Sequence, residues 1–308
     1  MSKLAFVFPG QGSQYVEMGK DFYENFDLAK EYFEKANNIL GFDLKDLCFN
    51  GPEEKLTETQ NTQPAIFTVS MIAYKLLKSQ GIEPEMVAGH SLGEYAALCA
   101  AGVFDFETGL KLVRKRGELM SSAVNDGSEG TMAAIIALDQ SKIEEICNKV
   151  DGVCELANIN SPMQIVISGE KEAIKEAMDL ASEAGAKKVV ELNVSSAFHS
   201  QLMEPAKNKL KSYIESIDFK DPVIPVVANS TANIVKEKNE IVLALEKQLT
   251  SPVRWVESME LMGEEGIDLA LEVGPGRVLK ALMRRIDRSI KTYNVEDKAS
   301  LEKSVKKI

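Results

Sequence analysis

The pentapeptide Gly89-His90-Ser91-Leu92-Gly93 sets the strongest constraint on how this chain folds. A short apolar run at residues 86–88 precedes it, and a strongly helical run at residues 94–101 follows it. The order strand, sharp turn, helix is the context in which Gly-x-Ser-x-Gly forms a nucleophile elbow. The two glycines leave room for a turn that exposes the serine hydroxyl, and the Leu92 amide then points toward any anion formed nearby. Because the bare pattern also arises by chance in glycine-containing loops, the prediction of a nucleophilic Ser91 depends on the flanking strand and helix.

Length and composition narrow the class of protein. A chain of 308 residues with 44% hydrophobic content can bury a sizeable core in one large domain or two moderate ones. The apolar run at residues 4–8 is too short for a signal peptide or a membrane span. Four cysteines without a Cys-x-x-Cys pair are typical of reduced packing residues, so we expect a cytoplasmic protein. A net charge of −11 argues against nucleic acid as the main partner, and the presence of only two histidines argues against a His-rich metal site.

The middle of the chain has a regular order of its own. Strands are predicted at residues 131–138, 153–159, 164–168 and 187–194, with helices at 141–150 and 171–184. The first of these helices carries a Ser141-x-x-Glu144 capping pattern. The order βαββαβ indicates a ferredoxin-like unit that follows a polar linker at residues 125–130.

The sequence on either side of this unit follows α/β order. We therefore predict an α/β fold with an α/β-hydrolase-like catalytic subdomain at residues 1–127 and 198–308, interrupted by a ferredoxin-like subdomain at residues 128–197. Within the larger part, residues 21–40 have the spacing of a single helix, and Pro64 is expected to open another helix that extends to Gln80.

A nucleophilic serine requires a base within hydrogen-bonding reach. His90 adjoins Ser91 on a strained turn and is expected to point elsewhere, which leaves His199 as the base. A buried histidine with a structural role is the alternative for that position. The order of the residues differs from that of α/β-hydrolases, and no carboxylate stands out as a partner of His199. The arrangement therefore favours a Ser-His dyad whose histidine is oriented by a backbone or amide carbonyl.

Arg116 lies partly on the apolar face of its predicted helix. An arginine drawn toward a core requires an anion. The alternatives are a side chain that extends to solvent or one that pairs with a structural carboxylate.

Seven segments together resemble the landmarks of the malonyl-CoA:acyl-carrier-protein transacylase family, which includes acyltransferase domains of polyketide synthases. They are residues 8–14 (FPGQGSQ), 62–65 (TQPA), 89–94 (GHSLGE), 116–117 (RG), 160–162 (NSP), 197–200 (AFHS) and 248–255 (QLTSPVRW). The resemblance extends from about residue 3 to about residue 295, with the segments in the expected order.

The resemblance implies a role for each matched position. Ser91 attacks the malonyl thioester, and His199 accepts its proton. The amides of Gln11 and Leu92 bind the oxyanion, and Arg116 holds the malonyl carboxylate.

Three further positions complete the site that the resemblance implies. The main-chain carbonyl of Gln248 orients His199. Phe198 favours malonyl over branched units by crowding an α-methyl group, and Gln63 contributes to substrate binding. The resemblance implies no bound cofactor and no metal.

The same resemblance implies a role in fatty acid biosynthesis, with malonyl-CoA and acyl carrier protein as substrates. Because acyl carrier protein is acidic, we expect a positive strip near the cleft, with Lys187, Lys188, Arg284 and Arg285 as candidates and Arg288 beside them. Ordinary solvated surface charge is the alternative for each of these residues. Three other functions stay open: a serine thioesterase that uses the same elbow, an acyltransferase of a polyketide pathway, and a non-catalytic scaffold that binds carrier protein.

Overall fold

The structure is a computed structural model that describes residues 2–123, 130–194 and 196–308. Of the predicted linker at residues 125–130, only Gly130 belongs to the described part of the chain. Two sheets organise the molecule. In chain order the strands are β1 Lys3–Phe8, β2 Met86–Gly89, β3 Gly130–Ile136, β4 Cys154–Ser161, β5 Gln164–Glu170, β6 Lys188–Glu191, β7 Val226–Val227, β8 Ile234–Val235, β9 Ile267–Val273 and β10 Lys291–Val295.

Helices pack around both sheets. They are α1 Lys20–Asn25, α2 Asp27–Leu40, α3 Leu44–Asn50, α4 Glu53–Thr57, α5 Thr59–Ser79, α6 Gly93–Ala100, α7 Phe106–Ser122, α8 Gln140–Cys147, α9 Lys171–Glu183, α10 Glu204–Ile214, α11 Lys238–Gln248, α12 Trp255–Glu264, α13 Val278–Ile286 and α14 Lys298–Val305. Among the described residues, no helix is both long and apolar enough to cross a membrane.

The larger sheet has six strands in the order β10-β9-β1-β2-β7-β8. Its neighbours run parallel except for β7 and β8. Side chains of β1 alternate between two cores, with Phe6 and Phe8 on one face and Ala5 and Val7 on the other. A central parallel strand is covered on both faces, which explains why its sequence is a continuous apolar run. The carboxyl ends of β1, β2 and β7 therefore meet at one edge of the sheet.

The smaller sheet confirms the predicted insert. Its elements follow the order β3-α8-β4-β5-α9-β6, and its strands are antiparallel in the order β4-β5-β3-β6. Helices α8 and α9 cover one face of this sheet and close a separate apolar core. The predicted fold class, a hydrolase-like α/β part with a ferredoxin-like insertion, is confirmed.

The helix that contains Pro64 begins earlier than predicted. Helix α5 starts at Thr59, so Pro64 lies inside it rather than at its first position. A proline there cannot donate to the carbonyl of Gln60, four residues earlier. Arg114 Nη1 of α7 donates to that carbonyl at 2.8 Å instead. The helix tolerates its proline because a neighbouring helix satisfies the carbonyl that the proline leaves free.

Two other local predictions were wrong. The single helix predicted at residues 21–40 is divided at Phe26, whose backbone is extended with φ −137°. The Asn25 side chain donates to the Asp21 carbonyl, which competes with the helical ladder. In the insert, α8 begins at Gln140 after Asp139, so Ser141 lies within the helix and does not cap it.

Candidate active site

Close backbone packing around the elbow explains its two glycines. A Cβ on Gly89 would lie 1.9 Å from the carbonyl of Gly93, and a Cβ on Gly93 would lie 2.0 Å from the carbonyl oxygen of Phe8. Neither position has space for a side chain. The turn between them holds Ser91 at φ 50°, a left-handed conformation that is uncommon for serine.

Ser91 and His199 form a hydrogen-bonded pair. Ser91 Oγ lies 2.8 Å from His199 Nε2, and His199 Nδ1 lies 2.8 Å from the main-chain carbonyl oxygen of Gln248. That carbonyl can only accept, so Nδ1 carries the imidazole proton and Nε2 is free to accept a proton from Ser91. The structure thus brings together the predicted nucleophile, base and orienting carbonyl, and among the described residues no carboxylate bonds to His199 as a third member.

His90 points away from this pair, as the sequence predicts. Its Nε2 lies 2.7 Å from Asn160 Oδ1 in the insert, and its ring packs edge-on against Trp255 at 5.4 Å between centroids. His90 therefore links the elbow to the insert and does not compete with His199 for the serine.

Arg116 of α7 is buried beside the dyad, with 1% of its surface exposed. Its Nη2 donates to Ser91 Oγ at 3.0 Å and to Gln248 Oε1 at 3.0 Å, while its buried Nε has no partner among the described residues. The guanidinium lies over the ring of Tyr95, 5.3 Å from its centroid. This buried cation touches the nucleophile and retains a hydrogen-bonding group for a ligand.

The side chains of Asn229 and Gln248 hold the two backbone groups of Ser91. The Ser91 amide donates to Asn229 Oδ1 at 2.7 Å, and its carbonyl accepts from Gln248 Nε2 at 3.0 Å. Glu94 contacts both of these residues. Gln248 Nε2 donates to one of its oxygens at 2.5 Å, and the main-chain N–H of Asn229 donates to the other at 3.3 Å. Glu94, Asn229 and Gln248 are all buried.

Asn229 and Glu94 differ in how far sequence could have found them. Glu94 directly follows the elbow pentapeptide, so its place in the sequence indicates that it lies near the nucleophile. Asn229 stands just after β7, at the carboxyl edge of the sheet where parallel strands place polar site residues. That topological signal depends on a strand of only two residues.

The two predicted oxyanion donors are the amides of Gln11 and Leu92. Gln11 follows β1 and lines the cavity beside Ser91, while Leu92 stands just before α6, where the dipole of that helix favours negative charge. Neither amide donates to an acceptor in the part of the chain that the structure describes. They are therefore available to an oxyanion.

The electrostatic environment keeps His199 neutral. Burial and, next, the positive charge of Arg116 lower the pKa of His199 to about 3. The imidazole therefore has an unprotonated Nε2 at neutral pH, as a base that accepts the serine proton requires.

A cavity of about 270 Å³ opens over Ser91, His199 and Arg116. Phe198 contributes to its wall, whereas Gln63 does not and instead lies buried with its Nε2 3.3 Å from Met120 Sδ. The insert supplies much of the remaining wall. Its lining residues there, with those of the segment that follows β6, are Met132, Asn158, Leu192, Asn193 and Val194.

A wider groove of about 590 Å³ adjoins this cavity and shares Gln11, Gly12, His90, Asn158 and Leu192 with it. Arg277 and Arg285 also line the groove. Arg277 Nε pairs with Glu296 Oε1 at 2.6 Å, and Arg285 Nη1 donates to Gln164 Oε1 of the insert at 3.3 Å.

The predicted basic strip is divided. Lys187 and Lys188 are exposed at strand β6, one edge of the smaller sheet. Helix α13, which carries exposed Arg284 and Arg285, packs against β4 at the other edge. Three strand spacings, about 14 Å, separate those edges, so the four cations do not form one cluster.

Comparison with known proteins gives full-length matches. Residues 5–305 match the acyl transferase domain family. The chain is 45% identical to the malonyl CoA-acyl carrier protein transacylase of Bacillus subtilis, over 99% of this chain and 97% of that protein.

Solved structures match as completely. One is a malonyl-transacylase in complex with a type II polyketide synthase acyl-carrier protein, with a TM-score of 0.97, 42% identity and complete coverage of both chains. Another is an acyl carrier protein S-malonyltransferase from Vibrio cholerae, with a TM-score of 0.95, 42% identity, and coverage of 98% of this chain and 100% of that one.

Proposed function

We propose that this chain, which belongs to the malonyl CoA-acyl carrier protein transacylases of the acyl transferase family, moves the malonyl group between two thiols as an ester on Ser91. It is an acyltransferase. Malonyl-CoA is the donor, and the phosphopantetheine thiol of acyl carrier protein is the acceptor. The observation that carries the proposal is the contact of Ser91 Oγ with both His199 Nε2 and Arg116 Nη2.

The first half-reaction acylates the enzyme. Ser91 Oγ attacks the thioester carbonyl of malonyl-CoA while its proton passes to His199 Nε2. The amides of Gln11 and Leu92 donate to the oxyanion of the tetrahedral intermediate. When the carbon–sulfur bond breaks, His199 returns the proton to the CoA thiolate and free CoA departs.

The second half-reaction runs the same steps in reverse with a new thiol. The carrier-protein thiol gives its proton to His199 and attacks the malonyl ester, and Ser91 leaves with that proton. Both half-reactions use one base and one oxyanion site, which supports a ping-pong mechanism. Both acyl carriers arrive as substrates, so the chemistry requires no bound cofactor.

Arg116 selects the acyl group and controls the basicity of His199. A malonyl carboxylate paired with its guanidinium places the thioester carbonyl beside Ser91. The same pairing offsets the positive charge that lowers the pKa of His199, so His199 becomes more basic when the correct substrate binds. An acetyl group brings no carboxylate and gains neither effect. A ring at Phe198 in the cavity wall supports a preference for unbranched malonyl, and Gln63 acts from beneath Met120 by supporting that wall.

We place the catalytic subdomain at residues 1–127 and 198–308 and the ferredoxin-like subdomain at 128–197, with residues 1, 124–129 and 195 outside the described part of the chain. We also place the protein in the cytoplasm and in fatty acid biosynthesis. The four free cysteines support the cytoplasmic assignment.

For the carrier protein we favour the groove lined by Arg277 and Arg285. It adjoins the cavity over Ser91, and its Arg285 offers a cation to an acidic partner and to phosphate. Arg285→Glu is expected to slow transfer to carrier protein while sparing acylation by malonyl-CoA. The matched variant Lys187→Glu/Lys188→Glu reverses charge at the other edge of the smaller sheet. A larger loss in that variant would place the docking surface there, and an equal loss of both half-reactions in either variant would exclude docking as the cause.

The proposal is tested by mixing the purified protein with malonyl-CoA and measuring its intact mass, with Ser91→Ala beside it. We expect a malonyl adduct on the wild type alone, and loss of that adduct when phosphopantetheinylated carrier protein is added. Release of free CoA without an adduct would indicate a thioesterase. Neither an adduct nor free CoA would indicate a binding scaffold.

A polyketide role is the second candidate, because one similar structure is bound to a polyketide synthase carrier protein. Transfer rates to a fatty acid carrier protein and to a polyketide carrier protein distinguish the two. A preference for the second would overturn the fatty acid assignment and leave the chemistry unchanged.

A further inference from the structure

Glu94 is a buried carboxylate that the mechanism above does not use. It belongs to α6, is 2% exposed and lies one turn after the nucleophile. Its two oxygens accept from different partners, Gln248 Nε2 and the Asn229 amide. A buried carboxylate that is not paired directly with a cation is costly, so a role for it is expected.

The first observation concerns the backbone of Ser91. Asn229 Oδ1 accepts from the Ser91 amide, and Gln248 Nε2 donates to the Ser91 carbonyl. Both of these residues are attached to Glu94. The left-handed conformation of Ser91 persists only if its surroundings hold it there. Glu94 connects the two residues that do so, through the side chain of Gln248 and the main-chain N–H of Asn229.

The second observation concerns charge. Arg116 Nη2 donates to Gln248 Oε1, and the amide nitrogen of the same side chain donates to Glu94. The side-chain amide of Gln248 therefore lies between the guanidinium and the carboxylate, which do not form a direct ion pair. The negative charge stabilises the buried guanidinium, while the hydrogen-bonding positions of Arg116 that a substrate carboxylate requires are not taken by Glu94.

The chemistry of the partners requires a carboxylate at this position. Both partners of Glu94 are N–H donors, so both of its oxygens must accept. A carboxylate provides two acceptor oxygens, whereas a glutamine amide would turn its NH₂ toward one of the donors. Burial raises the pKa of Glu94 to about 7, and the hydrogen bonds from Gln248 and Asn229 and the charge of Arg116 oppose that rise.

We infer that Glu94 is a positioning residue that holds Ser91 in its reactive conformation through Asn229 and Gln248. Its negative charge also offsets the positive charge of Arg116 across the side-chain amide of Gln248. The inference rests on the proposed function, since it concerns the same serine and the same arginine. It assigns Glu94 no contact with the substrate.

Two substitutions separate this role from simple packing. Glu94→Gln keeps the shape of the side chain and removes one acceptor and the charge, whereas Glu94→Asp keeps both and shortens the side chain by one methylene. A positioning role predicts that Asp retains more activity than Gln. A packing role predicts the reverse order, because the isosteric glutamine fills the space. Glu272→Gln is the matched control, since Glu272 is also a buried carboxylate but accepts from amides of α13.

Single-turnover acylation of Ser91 by malonyl-CoA is the first readout. We expect Glu94→Gln to lower the maximal rate by about 30-fold or more without raising the half-saturating concentration of malonyl-CoA, since misplaced reacting atoms lower the rate and not the binding. Glu94→Asp should fall between the wild type and Glu94→Gln, and Glu272→Gln should stay within about threefold of the wild type. A Glu94→Gln rate equal to or above that of Glu94→Asp would overturn the inference, as would an equal loss in Glu272→Gln.

Phenylmethylsulfonyl fluoride provides the second readout, because it modifies reactive serines and has no carboxylate for Arg116. The same order of variants is expected for the rate of Ser91 modification. If the wild type reacts with this reagent but forms no malonyl adduct, the proposed function fails while the role of Glu94 is still measured.

If Glu94→Gln does not fold, Gln248→Leu removes one of the two connections and leaves the main-chain carbonyl on His199. An unchanged sulfonylation rate in Gln248→Leu would refute the inference.

Discussion

Replacing Arg116 tests whether the buried guanidinium selects the acyl group. Arg116→Ala removes a side chain that is 1% exposed and donates to both Ser91 Oγ and Gln248 Oε1 at 3.0 Å. Removing one partner of a buried ion pair costs about 3–5 kcal/mol, and a malonyl carboxylate in this cavity would lose that partner. At about 1.4 kcal/mol for each tenfold change, kcat/KM for malonyl-CoA should fall by roughly 10² to 10⁴-fold.

Acetyl-CoA should respond differently, since its acyl group has no carboxylate. It loses only the hydrogen bonds that Arg116 makes to Ser91 and Gln248, and a bond from a charged donor contributes about 1.5–3 kcal/mol. Malonyl-CoA loses the same two hydrogen bonds, so they cancel in the malonyl:acetyl ratio of kcat/KM. The loss of the carboxylate pair alone should lower that ratio by at least about tenfold. The assay is transfer to carrier protein from each thioester in parallel.

Two controls make the result specific. Arg116→Lys keeps a charge without the planar fork and should recover part of the malonyl rate. Lys111→Ala removes an exposed cation of α7 that pairs with Glu107 and does not line the cavity, so its selectivity should equal that of the wild type. An unchanged malonyl:acetyl ratio in Arg116→Ala would refute the assignment of Arg116 to the acyl carboxylate.

Three further predictions concern stability and thiol reactivity. Gly93→Ala places a Cβ 2.0 Å from the Phe8 carbonyl oxygen and should lower the free energy of unfolding in urea by about 3 kcal/mol or more, and a loss below about 1 kcal/mol would contradict the close packing. Burial raises the pKa of Glu272 to about 7, above its unfolded value of about 4.3, so its ionisation destabilises the fold as pH rises through that interval. The unfolding free energy of the wild type should therefore fall relative to that of Glu272→Gln by about 3 kcal/mol between pH 4 and pH 8, and a parallel pH dependence of the two would contradict it. The Cys147 thiol is half-buried and lies 3.3 Å from Cys154 Sγ, which lowers the pKa of Cys147, whereas burial raises the pKa values of Cys48 and Cys99. A maleimide should label Cys147 first in the folded protein, and labelling of Cys48 or Cys99 at the same rate would refute this.

The sequence predicts the elements of this fold where neighbouring residues give consistent signals. The prediction fails where a contact between distant residues determines the start or the presence of an element. The elbow was predictable because strand, glycine turn and helix lie within about 15 residues. The start of α5 was not, because the helix can extend to Thr59 only when Arg114 of α7 satisfies the Gln60 carbonyl. Strand β8, which the sequence analysis missed, has only two residues, too few for an alternating pattern to be recognised.

The candidate site divides in the same way. Ser91, His199 and Arg116 could be proposed because each is chemically distinctive in its own segment. Asn229 could not, since it is one of many asparagines and acts through a backbone amide 138 residues away in sequence. The roles of such residues become visible only when the donors and acceptors around the nucleophile are counted.

The construction of the cavity separates chemistry from selectivity. The nucleophile, the carbonyl that orients the base and the buried cation belong to the larger sheet and its helices, whereas Met132 and Asn158 of the insert form another part of the cavity wall. His90 connects the two parts through Asn160 without touching the base. A change on the insert side can therefore reshape the space for the acyl group while the distance from Ser91 to His199 is maintained. Substrate preference in this chain should accordingly respond to substitutions in the insert that leave the sulfonylation rate of Ser91 unaltered.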